Sequence, residues 1–139
     1  MRNGRAALLL FSIFIAIVAS ASPARVARAE DAPADSAASA RGALDTMIKA
    51  IQDGNTPIRD RMFFKLRIIG TPSVEPLIGT LSNADARVRE YAAFTLGFLD
   101  DDRAIDPLLA LFASDAEMSV RTQSARALGR MLLEDEKPA

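Results

Sequence analysis

Two phrases alternate along this chain, each returning after about 30 residues. The clearer phrase occupies residues 88–99 and returns at residues 120–131, with valine, arginine, a pair of small residues, leucine and glycine in the same order. A fainter copy occupies residues 58–69. A period of this length predicts an array of repeated units, each of which buries its apolar side against a neighbour.

The second phrase lies between the copies of the first. Residues 74–81 match residues 105–112, and residues 44–51 match both more loosely. Apolar side chains recur at helical spacing, no stretch of useful length alternates as a strand would, and turn residues separate the phrases. The pattern predicts an all-α fold, with helices at about 43–52, 58–69, 73–82, 87–99, 104–113 and 119–133.

The composition excludes several kinds of site. The 139 residues include no cysteine, histidine or tryptophan, which removes disulfides, thiolate nucleophiles, imidazole bases and the usual zinc ligands. The three adjacent aspartates at 100–102 lack the alternating pattern of a calcium loop, so we interpret them as a solvated turn that caps a helix. We predict no catalytic residue, no cofactor and no metal ion.

The first 29 residues have the organisation of a secretory signal peptide. Two arginines precede an apolar run at residues 7–18, and small residues follow. The run is shorter than the roughly 20 residues of a membrane-spanning helix. Cleavage after Ala21 and cleavage after Ala29 both fit. We expect an exported protein, in the bacterial periplasm or outside the cell, or a membrane-anchored one if the segment is retained.

The segments that flank the repeats contain few bulky residues. Residues 30–42 are mostly alanine, serine, aspartate and proline, and residues 134–139 are mostly charged. Such segments bury too little apolar surface to offset their ordering entropy. We therefore predict a flexible leader at 30–42, a charged tail at 134–139, and between them a repeat domain at 43–133 with units at about 43–69, 73–99 and 104–131.

The second helix of each predicted pair has one apolar arc. The three copies of the phrase can be aligned position by position. At about 100° of rotation per residue, three of the aligned positions lie on the same side of the helix as the valine or isoleucine that begins each copy. Small residues in this arc allow neighbouring helices to approach closely. We predict a buried seam formed by Met62, Leu66, Ile69, Ala92, Leu96, Leu99, Ser124, Leu128 and Met131.

An arginine stands beside the apolar arc in every copy. A desolvated guanidinium group requires carboxylate or carbonyl partners, because an unpaired buried charge is very costly. One aspartate lies in the loop before each second helix and is the natural partner. We predict a ladder of ion pairs between successive units, formed by Arg59, Arg89 and Arg121 with Asp53, Asp85 and Asp115.

The side of the second helices opposite the seam varies between units. It holds aromatic residues in the first two units and arginines in the third, which are residue types that anchor interfaces. The alternative is that Phe94 and Phe98 fill space between helices, and we expect Tyr91 to be the most exposed ring. We predict a partner-binding face formed by Arg61, Phe64, Tyr91, Phe94, Phe98, Gln123, Arg126 and Arg130, with Ile68 beside it.

The repeated Val-Arg-x-x-Ala-Ala-x-x-Leu-Gly phrase, together with Asp-Arg-Ala-x-x-Pro-Leu-Leu at 102–109, resembles HEAT repeats, closest to the short type named after phycobilisome lyases. The resemblance covers residues 43–133. It departs in the first unit, where Met62 and Phe63 replace small residues and Arg67 replaces glycine. It implies a right-handed α-solenoid of three helix pairs with second helices on the concave face. Its enzymatic relatives attach bilin chromophores to other proteins.

The predicted function is binding, without catalysis, of a protein or peptide of unknown identity through the second helices. Arg126 and Arg130 would favour an acidic stretch of that partner. Beyond residue 29 the chain carries more acidic than basic residues, which argues against nucleic acid. We expect no membrane contact after signal cleavage, and self-association through the end helices. The alternatives are an accessory or regulatory subunit of an envelope enzyme or transporter, a membrane-tethered adaptor, and a lyase-like or ligand-binding protein.

Overall fold

A computed structural model describes residues 34–134, with side chains described as far as residue 133. This range contains no β-strand, so the predicted all-α fold is confirmed. The predicted signal segment 1–29, residues 30–33 and residues 135–139 lie outside the described range. The helices are α1 (Ala34–Gln52), α2 (Thr56–Ile69), α3 (Val74–Thr80), α4 (Ala86–Leu99), α5 (Ile105–Ser114) and α6 (Met118–Glu134).

The six helices pack as three consecutive pairs. Helix α1 packs on α2, α3 on α4, and α5 on α6, and short 3₁₀ turns at Thr71–Ser73 and Asp102–Ala104 lead into α3 and α5. The first and second pairs meet through contacts of both α1 and α2 with the second pair, whereas the second and third pairs meet mainly through α4 and α6. The contact between α4 and α6 is extensive, whereas α2 and α4 touch much less. The predicted arrangement of three helix pairs in a solenoid-like array is therefore confirmed.

Helix α1 begins at Ala34, earlier than the predicted start at residue 43. The prediction of a flexible leader is therefore wrong for residues 34–42. Alanine is the best helix former because it loses no side-chain entropy. Small side chains also bring α1 close to its neighbours, since Ala40 and Ala43 are buried almost completely.

The predicted seam forms the core of the array. Leu66, Leu96 and Ala92 are fully buried, and the equivalent residues of α6 are buried as well. Met62, Ile69 and Leu99 are partly buried and pack against this core. The apolar arc read from the sequence is thus the side on which the helix pairs stack, and it leaves the opposite side of the second helices free to vary.

Polar side chains and positive φ angles set the ends of the second helices. The Asn55 side chain accepts a hydrogen bond from the backbone of Ile58 at the start of α2, and Asp85 accepts one from Arg87 at the start of α4. Gly70 ends α2 with φ of 73°, and Asp100 ends α4 in the left-handed conformation. These caps satisfy backbone groups that the helices leave unpaired.

None of the helices in residues 34–134 is both long enough and apolar enough to cross a bilayer.

Candidate functional site

Five aromatic rings from α2 and α4 form one contiguous cluster on the second helices. Its centre is Phe63, whose ring centroid lies 5.2 Å from that of Phe94 and 5.3 Å from that of Phe98. The rings meet mainly edge to face or at a tilt, as aromatic pairs prefer. We call this set the aromatic cluster: Phe63, Phe64, Tyr91, Phe94 and Phe98.

Sequence reasoning missed Phe63 as a member of this set. Phe63 is only 7% exposed, and its ring contacts all four others. The available signal was its departure from the repeat pattern, in which a small residue is usual at this position. The departure reflects a core made of rings between the first and second units.

The cluster has one strongly exposed ring, which lies on α2. Phe64 is 57% exposed and Ile68, one turn further along α2, is 86% exposed. Tyr91, Phe94 and Phe98 are only partly exposed. The expectation that Tyr91 is the most exposed ring is therefore wrong, because its hydroxyl and its ring face are both occupied by other residues. Phe63 and the rings of α4 form the floor of the surface, and Phe64 and Ile68 of α2 are exposed beside it.

Two arginines from different helices lie on the ring of Phe98. The guanidinium carbon of Arg130 in α6 is 3.7 Å from the ring centroid, and that of Arg67 in α2 is 5.2 Å from it. Arg67 also lies 5.6 Å from the centroid of Phe63. These distances are those of cation–π contacts. One residue of each second helix thus meets at Phe98.

At the other end of α4, Tyr91 joins a polar group. Its hydroxyl donates to a carboxylate oxygen of Asp60 at 3.0 Å, and the same carboxylate pairs with Arg59 at 2.8 Å. Arg59 in turn lies 4.7 Å above the Tyr91 ring. Burial and the hydrogen bond to Asp60 raise the pKa of Tyr91 to about 12. The Arg59 guanidinium and the Tyr91 hydroxyl hold the pKa of Asp60 below its usual value.

The remaining predicted face residues divide into accessible and inaccessible ones. Arg61 and Arg126 are exposed on α2 and α6. Gln123 is only 9% exposed, so it offers a partner little surface. The close approach of α6 to α4 explains its burial, since both helices meet there through small residues.

The predicted ladder contains one rung between units. Arg89 donates to both carboxylate oxygens of Asp115, at 2.8 and 2.9 Å, across the junction from α4 to the start of α6. Asp115 is 4% and Arg89 15% exposed. The hydrogen bonds from Arg89 hold the pKa of Asp115 below its usual value. Asp115 also accepts from the backbone of Glu117, so one carboxylate joins two units and orders the start of a helix.

The ladder prediction is wrong for the other two rungs. Arg59 pairs with its neighbour Asp60, while Asp85 is held by Arg87 at 2.8 Å. Asp53 forms an exposed pair with Lys49 instead. Local partners at these positions replace the contact between units, because a side chain one to four residues away needs less ordering to reach the charge.

Arg121, the third arginine of the predicted ladder, binds backbone carbonyls of the loop before its own helix. One Nη of Arg121 donates to the carbonyl oxygens of Asp115 and Ala116, at 2.7 and 3.1 Å. Arg89 bonds the carbonyls of Asn83 and Ala84 with the same spacing. The repeated arginine therefore fastens the loop before its own helix, which explains its place beside the apolar arc.

A cavity of about 310 Å³ opens beside the polar end of the cluster. Arg59, Arg87, Glu90 and Tyr91 line its polar side, and the end of α1 closes it. Within residues 34–134 no group of three acidic side chains converges as a metal site would require. Asp101 accepts from the backbone of Arg103 and pairs with its side chain, in keeping with a capping turn.

Comparison with known proteins gives one family and one relative. Residues 44–129 match the HEAT-repeat family. The chain is 30% identical over 95 residues to a phycocyanobilin lyase subunit beta from Pseudanabaena tenuis (strain PCC 7409). That alignment covers 68% of this chain and 34% of the relative, so the chain spans about a third of the relative's length. No solved structure matches the chain.

The match to the family covers more than half of the chain and falls on the three helix pairs. Repeated phrases, paired helices and the family match agree. This chain belongs to the HEAT-repeat family.

Proposed function

We propose that this protein is a non-catalytic HEAT-repeat module that binds another protein through the exposed side of its second helices. The observation that carries the proposal is the exposure of Phe64 and Ile68 directly beside a preformed floor of aromatic rings. Removing large apolar side chains from water is favourable, and a partner that covers these two would do so. HEAT arrays provide such surfaces on a rigid frame.

The test of this proposal removes the accessible side chains and leaves the floor intact. A Phe64→Ala and Ile68→Ala double variant is compared with the original chain for capture of partners from an envelope extract of the source organism. A Leu109→Ala and Phe112→Ala variant of α5 is the matched control, since these residues are 47% and 48% exposed. Loss of the same captured protein only in the α2 variant is expected. Equal capture by all three chains would overturn the proposal.

The proposal includes export, on the evidence of the basic, apolar and small-residue order at residues 1–29. Mass spectrometry of the mature amino terminus tests it. A start at Ser22 or Glu30 is expected, while an intact first segment would favour the membrane-tethered adaptor. A captured partner that is an envelope enzyme or transporter would favour the alternative of an accessory subunit.

Self-association is a second proposal, and the apolar end of the third unit favours it. Met118, Leu132 and Leu133 are 72%, 57% and 68% exposed. Gly129 corresponds to Gly97, which packs on the next helix, yet no atom of residues 34–133 lies within 4 Å of a Cβ placed at Gly129. We expect concentration-dependent dimers in sedimentation velocity that a Leu133→Asp substitution abolishes. A monomer at all concentrations would contradict this proposal.

The name of the relative supplies a competing candidate, a subunit of a lyase that acts on phycocyanobilin. Incubation of the full chain with phycocyanobilin, followed by visible absorption, separates the two. The proposed binding module leaves the spectrum of the pigment unchanged. A shifted spectrum that survives gel filtration would favour the lyase-related function.

A further inference from the structure

The charges of the described residues are divided between the two kinds of helix. The second helices α2, α4 and α6 together hold nine basic and three acidic residues. All other residues between 34 and 134 hold three basic and eleven acidic ones. The second helices are thus basic in an otherwise acidic range of residues.

The few carboxylates of the second helices do not neutralise this surface. Asp60 is occupied by Arg59 and Tyr91. Glu90 lies two turns before Phe98, where it lines the cavity at the other end of α4. Glu134 is the third, and its side chain lies outside the described range. Among described residues, no ion pair involves the following five cations: Arg61, Lys65, Arg67, Arg126 and Arg130.

Two of these cations contact the same aromatic ring. Arg67 and Arg130 both lie on the ring of Phe98, so the distance between their guanidinium carbons cannot exceed the sum of 5.2 and 3.7 Å. We call them the arginine pair. One Nη of Arg130 is buried without a hydrogen-bond acceptor among the described residues. Arg130 as a whole is only half-buried, so a partner would reach the group through its other nitrogens.

A guanidinium group held on an aromatic ring is well suited to bind a carboxylate. Stacking fixes the plane of the group and leaves the N–H donors at its edge for bidentate hydrogen bonds. Fewer rotamers then have to be ordered when a partner binds. The exposed Phe64 and Ile68 lie on the same helix as Arg67 and can receive an apolar side chain of the partner.

We propose that the partner of this surface is an acidic peptide segment, a deepening that rests on the proposed function. The segment places an aspartate or glutamate on the arginine pair and a bulky apolar side chain on Phe64 and Ile68. Charge complementarity selects this occupant, because a basic strip surrounded by acidic helices and loops attracts a short acidic segment. A nucleic acid requires a more extended basic surface and is repelled by the surrounding acidic residues.

Selection from a random peptide library on the immobilised full chain is the first experiment. Selected peptides are expected to be enriched in aspartate or glutamate beside a large apolar residue. Neutral or basic selected peptides that still require Phe64 and Ile68 would overturn the acidic partner and leave the proposed function standing. Selected peptides that bind the Phe64→Ala and Ile68→Ala variant equally well would overturn the proposed function itself.

Fluorescence anisotropy with one labelled peptide from the selection measures the contribution of charge. An analogue with asparagine and glutamine in place of its acids is expected to bind at least about tenfold more weakly, as is the original peptide to an Arg67→Gln and Arg130→Gln variant. An Arg41→Gln and Lys49→Gln variant removes the same charge from α1 and should bind within about twofold. Equal binding of the amide analogue, or tighter binding of a single-stranded oligonucleotide, would overturn the inference.

Discussion

The junction between the first and second units and the junction between the second and third use the same repeat phrase in different ways. At the second junction, a Cβ placed on Gly97 would lie 2.7 Å from the Cβ of Ala127, so α4 and α6 meet at backbone distance. At the first junction, Arg67 occupies the place of that glycine, and aromatic rings fill the space between α2 and α4.

This difference shows how one residue changes what a repeat can present. Without a side chain at residue 97, helices pack on each other and bury residues such as Gln123. At the first junction the side chain of Arg67 lies against the rings of Phe63 and Phe98, and rings fill the space between α2 and α4. The first junction therefore supplies the candidate binding surface, and the second supplies a rigid support with a buried ion pair.

The largest effect is expected from removing the centre of the first junction. Phe63→Ala should lower the free energy of unfolding by about 3–5 kcal/mol, because the ring is buried and its loss leaves a cavity among the other rings. Phe64→Ala, one residue away but 57% exposed, is the matched control and should cost far less. Urea unfolding measures both. Equal effects would mean that the cluster does not form a core.

The ion pair of the second junction should give the next largest effect. Asp115→Asn should cost about 3 kcal/mol at neutral pH, since it leaves the guanidinium of Arg89 largely buried without its charge partner. The folded-state pKa of Asp115 is lowered, so its stabilisation is present above the unfolded pKa and is lost as pH falls through the folded value.

The same pair predicts a pH dependence. Stability of the original chain should decrease on acidification below about pH 4 more steeply than that of Asp115→Asn. Asp53→Asn is the control, because its pair with Lys49 is exposed and contributes little. Parallel acid curves for the original chain and Asp115→Asn would contradict a role for this rung.

Two glycine substitutions should have opposite signs. Gly97→Ala should destabilise the fold by about 1–2 kcal/mol, since its Cβ would meet Ala127 backbone and side-chain atoms below 3 Å. Gly129→Ala, at the equivalent position with open space, should stabilise it by about 0.5–1 kcal/mol through helix propensity. Thermal unfolding followed by circular dichroism compares them. If both substitutions changed the stability in the same direction, α4 and α6 would not be closely packed at Gly97.

The smallest destabilisation concerns the hydroxyl at the first junction. Tyr91→Phe should cost about 1 kcal/mol through loss of the hydrogen bond to Asp60. Tyr91 is the only tyrosine of the chain, so phenolate absorbance reports it alone. Its pKa of about 12 predicts that ionisation begins well above pH 10, and that stability falls as pH rises from 10 towards 12. Ionisation near pH 10 would place the ring in solvent.

Much of the fold could be predicted from the sequence because helical period, caps and repeat spacing are local signals. The seam residues Leu66 and Leu96 follow from their angle on one helix, and the structure buries both. The start of α1 was missed because an alanine-rich segment without bulky residues resembles a linker until a neighbouring helix packs against Ala40 and Ala43.

The candidate site was only partly predictable. Phe64 and Arg126 lie opposite the predicted seam and are exposed, but the repeat pattern does not show Phe63, Arg59 and Arg67 as neighbours of the α4 rings. The predicted ladder pairing of Asp85 is wrong because Arg87, two residues away, already pairs with that carboxylate. Pairing of charged side chains depends on which partner is nearest in space, and the repeat alignment contains no such distance.

The sequence by itself determined three helix pairs, their buried seam and the family, because these depend on spacing along one chain. Only the tertiary structure decided that one junction closes on a glycine while the other opens around a cluster of rings. It also decided that Arg67 and Arg130, far apart in sequence, lie on the same ring. The distance between two helices depends on the side chains that both helices place in the interface. The pattern of a single helix therefore does not determine it.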